Sequence, residues 1–171
     1  MQTKYGGVIM VNLTTKERLL LEDEKSHEIL CVSKYKDYAN RASCQELKNL
    51  FSSLAQKEQQ HLDTVNQILN GTVPNVNSGS QNSQNQQMPQ DNTLSMPNIG
   101  SNVSNGAYDE NDKMLCQDCL STEKYVSATY NTAIFEFKDK NIRQVLNHIQ
   151  KEEQEHGEKI YNYMSQHNMY N

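Results

Sequence analysis

A glutamate followed three residues later by a histidine occurs at Glu58/His61 and again at Glu153/His156. Thirty residues before each pair stands another glutamate, Glu28 and Glu123, and seven residues after each of those a tyrosine, Tyr35 and Tyr130. The whole set repeats at a constant offset of 95 residues. On a helix, residues three or four apart share a face, and residues seven apart lie two turns along it. Turn signals fall midway in each half, at Arg41-Ala42-Ser43-Cys44 and at Phe137-Lys138-Asp139-Lys140. A short connection makes neighbouring helices antiparallel, so positions equidistant from the turn lie at one height. Each upstream glutamate then faces its downstream Glu/His pair across a hairpin, and the chain reads as two copies of that hairpin.

The surrounding pattern agrees. Residues 1–13 form a leader without helical period, with room for one short extended segment. Thr14-Thr15-Lys16-Glu17 reads as a capping box that opens a helix over Thr15–Arg41. Its inward stripe is Leu21, Glu24 or Lys25, Glu28, Cys31/Val32, Tyr35 and Tyr38/Ala39, with Lys34, Lys36, Asp37 and Asn40 on the solvated side. Ser43-Cys44-Gln45-Glu46 reads as a second capping box. The helix it opens carries Leu47, Leu50, Phe51, Leu54, Leu62, Val65, Ile68 and Leu69, and ends at Asn70-Gly71. A third helix begins near Asn111 or Asp112. Asp139 caps a fourth, whose buried face is Ile142, Val145, Leu146, Ile149, Ile160, Tyr163 and Met164, and the tail after Gln166 crosses the bundle end. In the second and fourth helices the Glu/His pair interrupts the apolar stripe.

Between the hairpins (14–70 and 111–171) the composition shifts to Asn, Gln and Ser, with Pro74, Pro89 and Pro97. Such a tract cannot build a core. It suits a crossover over 71–110 that returns along the bundle, so that the second and third helices run parallel. The alternative, a floppy linker between two separate hairpins, leaves each apolar stripe wet. The expected fold is all-α: one antiparallel four-helix bundle of two repeated hairpins.

A lone Glu-x-x-His in a run rich in Glu, Gln and Lys reads as solvated surface. Duplication, equal spacing and flanking Leu, Val and Ile favour burial instead. Four buried carboxylates repel one another and are costly to desolvate, whereas two divalent cations would neutralise them. Two imidazoles beside four carboxylates suit iron, manganese or zinc better than calcium or magnesium. The candidate ligands are therefore Glu28, Glu58, His61, Glu123, Glu153 and His156, with Tyr35 and Tyr130 available to hydrogen-bond the carboxylates. Glu24 rivals Glu28, Glu22 and Asp118 are weaker rivals, and His27 and His148 read as surface residues.

A net charge of −5 gives no reason to expect nucleic acid. Val8-Ile9-Met10-Val11 is too short for a signal core or a membrane span, so synthesis in the cytoplasm is expected, with the four cysteines starting as thiols. Cys116 and Cys119 form a single Cys-x-x-Cys with no second pair, which excludes a zinc ribbon. One buried and one exposed thiol is the plain reading, cross-linking to neighbours the sharper one. Cys31 reads as a small buried residue.

The six acids and imidazoles, with Tyr35 and Tyr130, resemble the rubrerythrin and bacterioferritin branch of the ferritin-like superfamily. That resemblance implies a dinuclear site in which Glu58/His61 and Glu153/His156 each hold one metal, completed by Glu28 and Glu123, with peroxide or dioxygen as substrate if there is turnover. The stretches Asp118–Lys124, Asn141–Leu146, Tyr161–Met164 and Asn168–Tyr170 resemble the spore coat protein F family over about residues 112–170, with Asn168-Met169 where that family closes on a glycine. This second resemblance implies synthesis in the mother cell, a place in the spore coat, and other coat proteins or further copies of the chain as partners.

Overall fold

The computed structural model describes residues 4–5, 8–9, 11–75 and 109–170. Two short strands, β1 (Lys4–Tyr5) and β2 (Val8–Ile9), pair antiparallel with Lys4 opposite Ile9. The leader thus holds two paired segments where one was expected, each satisfying backbone groups of the other. Four helices follow: α1 (Thr15–Arg41), α2 (Gln45–Leu69), α3 (Glu110–Glu136) and α4 (Lys140–Gln166).

Each helix starts and stops for a local reason. Thr14 accepts from the Glu17 N–H while the Thr14 N–H donates to the Glu17 carboxylate, the reciprocal pair the sequence predicts. Asp109 caps α3 and Asp139 caps α4 through backbone N–H groups of their first turns. The Asp109 cap starts α3 slightly before the expected point. At the far ends of α2 and α4, Gly71 and Asn168 take positive φ, 85° and 57°. There Thr72 N–H reaches Gln67 C=O and Met169 N–H reaches Met164 C=O, which closes the last turns.

The second expected capping box is absent. Cys44 occupies the cap position of α2 with no side-chain bond. Ser43 instead gives its backbone N–H (2.8 Å) and its hydroxyl (2.5 Å) to the carboxylate of Asp112 on α3. An ionic acceptor on a neighbouring helix competes better for the serine than a local amide does. Lys34 also departs from its expected solvated place, lying 2.8 Å from Asp118 and donating to Thr122 on α3.

Contacts along α1 and α3 run in opposite senses: Ser43 meets Asp112, Tyr38 meets Asp118, Glu24 meets Thr129, and Lys16 meets Glu136. Similarly, α2 runs opposite to α4, with Cys44 at Tyr163 and Lys57 at Glu152. Hence α2 and α3 run parallel. Leu69 lies by Arg18 at one end of the bundle and Asn111 by Arg41 at the other. Residues 76–108 of the expected polar crossover lie outside the described residues.

Buried side chains form two apolar clusters, one towards each end. One gathers Phe51, Leu54, Leu115, Cys119, Ile160 and Met164, with Met169 of the tail folded against it. The other gathers Leu21, Val65, Ile68, Val126, Ile142 and Leu146. On α3, Met114 is exposed and its neighbour Leu115 turns inward. Among the described residues, no helix is long and apolar enough to cross a membrane.

Candidate metal centre

Between the two clusters the apolar stripes break, and six polar side chains converge. Glu28 comes from α1, Glu58 and His61 from α2, Glu123 from α3, and Glu153 and His156 from α4. None is more than 2% exposed. The i,i+3 spacing puts each histidine on the same face as its glutamate. Pairing of like positions across the bundle stacks the two imidazoles, 5.5 Å between centroids and 17° from parallel.

The atoms form two overlapping groups. One atom from each of Glu28, Glu58, His61 and Glu153 lies within a common 4.8 Å, and the same holds for Glu58, Glu123, Glu153 and His156. Glu58 and Glu153 belong to both. His61 Nδ1 is 3.0 Å from Glu153 Oε1 and 3.8 Å from Glu28 Oε2. His156 Nδ1 is 2.8 Å from Glu58 Oε1 and 3.7 Å from Glu123 Oε2. Each group contains one complete Glu-x-x-His pair together with the glutamate of the other. Each histidine lies nearer the glutamate of the other hairpin's pair, and the two downstream glutamates stand between the positions.

Although these approaches are short, eight buried atoms have no hydrogen-bond partner: Oε2 of Glu28 and Glu123, both carboxylate oxygens of Glu58 and Glu153, and Nδ1 of each histidine. Buried polar atoms are ordinarily satisfied, and one such atom costs about 1–3 kcal/mol. The atoms left unsatisfied are those that face the centre. Each of the two groups offers carboxylate oxygens and one imidazole nitrogen, a donor set suited to a divalent transition metal. The residues thus fit two such ions.

The remaining oxygens are held. Tyr35 donates to Glu123 Oε1, and Tyr130 donates to Glu28 Oε1. Each tyrosine serves the glutamate of the other hairpin, which cross-links α1 and α3 twice at the level of the site. Glu24, the rival for Glu28, is buried but accepts from Thr129 at 3.0 Å and lies 3.4 Å from His27, outside both groups. Glu22 is exposed, and Asp118 pairs with Lys34 and Tyr38.

A residue that sequence reasoning missed is Glu152. Its Oε2 lies 2.9 Å from His61 Nε2 on the side away from the centre, and its other oxygen lies 3.5 Å from Lys57. Lys57 is the residue at the matching position of the first hairpin. Only this break in the repeat, Glu for Lys, marks Glu152 in the sequence. A carboxylate there orients the ring and keeps a proton on Nε2, leaving Nδ1 aimed inward. Cys116 and Cys119 are both fully buried, not one in and one out. Burial raises both thiols, Cys116 to about 12, so neither suits cross-linking.

Without metal the site balances its charge with protons. Burial, and then Glu153, drive Glu28 well above the usual carboxylate range, and burial pushes Glu123 up to about 8. Burial opposes ionisation of Glu58 and Glu153 too, but the two imidazoles overturn it and hold both acids low. Burial likewise opposes charge on the histidines. Glu152, Glu153 and Glu58 nevertheless raise His61, and Glu123, Glu153 and Glu58 bring His156 to about 11. His61 in turn holds Glu152 down at about 2. Two imidazolium ions thus face two carboxylates, with Glu28 and Glu123 neutral.

Residues 111–171 match the Coat F domain family. The match spans α4 and nearly all of α3, with Glu123, Glu153 and His156; α1 and α2 lie outside it. A comparison with curated proteins finds no match.

Proposed function

We propose that this chain is a spore-coat-associated protein whose two hairpins close, in the ferritin-like manner, around a dinuclear iron or manganese centre. The Coat F match of the second hairpin supports the coat assignment. The ferritin-like reading draws on the duplicated acid and imidazole set, the antiparallel hairpins and the parallel α2 and α3 that demand a long return. The single observation that carries the metal is the set of eight buried, unpartnered atoms aimed at one another.

Glu28 and His61 would hold one ion and Glu123 and His156 the other, with Glu58 and Glu153 shared. Such a centre supplies redox chemistry on peroxide or dioxygen. Tyr35 and Tyr130 orient the terminal carboxylates, Glu152 orients His61, and the apolar clusters on either side limit water at the centre. Metal analysis of protein produced with iron and manganese supplements tests this reading. Two ions per chain are expected, with fewer in Glu58→Gln and Glu153→Gln; peroxide turnover would mark an enzyme. A purely structural coat component is the second reading, favoured by the Coat F match and by exposed Tyr125 and Phe135 on α3, 60% and 83% accessible. Zinc or no metal at all would favour it.

A further inference from the structure

The repeat is broken on one face of the bundle. Between α3 and α4 lies a groove of about 530 Å³, with Glu123 and Glu153 of the site in its wall beside Leu120, Ser127, Gly157 and Tyr161. Two other grooves, one beside Lys36 and Gln59 and one beside Glu24 and Thr129, reach none of the six converging residues.

Gly157 stands in the middle of α4, directly after His156, where glycine disfavours the helix. No backbone reason calls for it. Among the described residues the positive-φ glycine is Gly71, and a Cβ at 157 would meet Leu120 Cδ1 at 3.5 Å and Glu123 Cβ at 3.9 Å, ordinary contacts. A side chain therefore fits at 157, and the space it would take lies beside a site carboxylate. At the offset of 95, the first hairpin has Leu62 where the second has Gly157, and Val32 where it has Ser127. Both substitutions remove volume, and both fall on this groove.

We propose that the α3–α4 groove is the entrance to the acid–imidazole cluster, kept open by Gly157 and Ser127, and that a divalent cation reaches the cluster through it. The proposal rests on the dinuclear reading above. Glu123 and Glu153 line both groove and cluster but are 2% and 0% exposed. The exposed charged residues of the groove are Glu158 and Lys124, so an arriving cation meets the Glu158 carboxylate first and the two site carboxylates behind it. At these two positions the matching face of the first hairpin carries the larger residues, Val32 and Leu62.

Stopped-flow uptake of Co(II) by metal-free protein, followed by its visible absorption, separates rate from capacity. Gly157→Leu, and independently Ser127→Leu, are expected to bind two ions per chain, as the parent does, at rates lower by about tenfold or more. Adding Leu62→Gly to Gly157→Leu opens the opposite face and is expected to restore much of the rate. Either plug loading two ions at the parent rate overturns the entrance and leaves the site standing. A parent protein that takes up no Co(II) overturns the site, and the entrance with it.

Discussion

Glu152 and Glu153 are neighbours in sequence with opposite tasks. Glu153 turns into the core with both oxygens unpartnered, while Glu152 lies on the flank and grips the outer nitrogen of His61. Among the described residues no carboxylate is placed in this way on the α2 side, where Lys57 takes the matching place. The two metal positions should therefore differ. Glu152→Gln is expected to weaken one of two Co(II) ions by about 10- to 100-fold and leave the other near its original affinity, as calorimetric titration would resolve. Equal weakening of both ions would show that Glu152 does not act through His61. The protonation pattern gives a second prediction. Four of the six groups, Glu28, Glu123, His61 and His156, carry a proton near neutral pH in the metal-free site. Loading two ions should expel about four protons per chain, measurable in weakly buffered solution or from the buffer dependence of the binding enthalpy.

Among the helices, α1 and α3 are joined by a series of polar pairs. Tyr35–Glu123 and Tyr130–Glu28 cross at the site, Lys34–Asp118 lies beyond them, and Asp112 takes both donors of Ser43 at the α1–α2 turn. Asp112 is 1% exposed and the turn has no side-chain cap of its own, so this one carboxylate fixes where α2 begins relative to α3. Asp112→Ala removes the acceptor of both hydrogen bonds from the exposed Ser43 and is expected to lower stability by about 1–3 kcal/mol. Ser43→Ala should cost less, because Asp112 keeps the backbone N–H. Denaturant titration of the two variants checks the order. Equal losses would mean that the hydroxyl, not the amide, sets the turn.

For the whole molecule, the site trades stability in its centre for a place to bind. Burial raises Glu123 from 4.5 to about 8, and the surrounding acids raise His156 from 6.5 to about 11. Raised groups bind protons more tightly in the folded chain than in the unfolded one. Their contribution is complete below the unfolded values and is lost as pH climbs through the folded ones. Glu58, Glu152 and Glu153 are lowered and act the other way, losing their contribution as pH falls below 4.5. The Tm of metal-free protein should thus decline from about pH 5 to about pH 9. With metal bound the ligands must be deprotonated, so Tm should instead rise between about pH 5 and pH 7. Parallel slopes with and without metal would mean that the ions sit elsewhere.

Most helix limits, the two tight turns and the convergence of Glu58, His61, Glu123, Glu153 and His156 with a glutamate of α1 were legible in the residues alone. Caps and apolar periods are local, and a duplicated pattern at constant offset records which heights must coincide. Three matters were decided only in three dimensions. Glu28 rather than Glu24 joins the cluster, because helix rotation turns Glu24 towards Thr129. Ser43 abandons its helix for Asp112, since a charged acceptor brought alongside by packing outcompetes a local amide. Each histidine leans towards the glutamate of the opposite hairpin, because α2 and α4 face each other antiparallel at that height. Periodicity along one helix says which side chains turn inward; only the packing of one helix on another says whom they meet there.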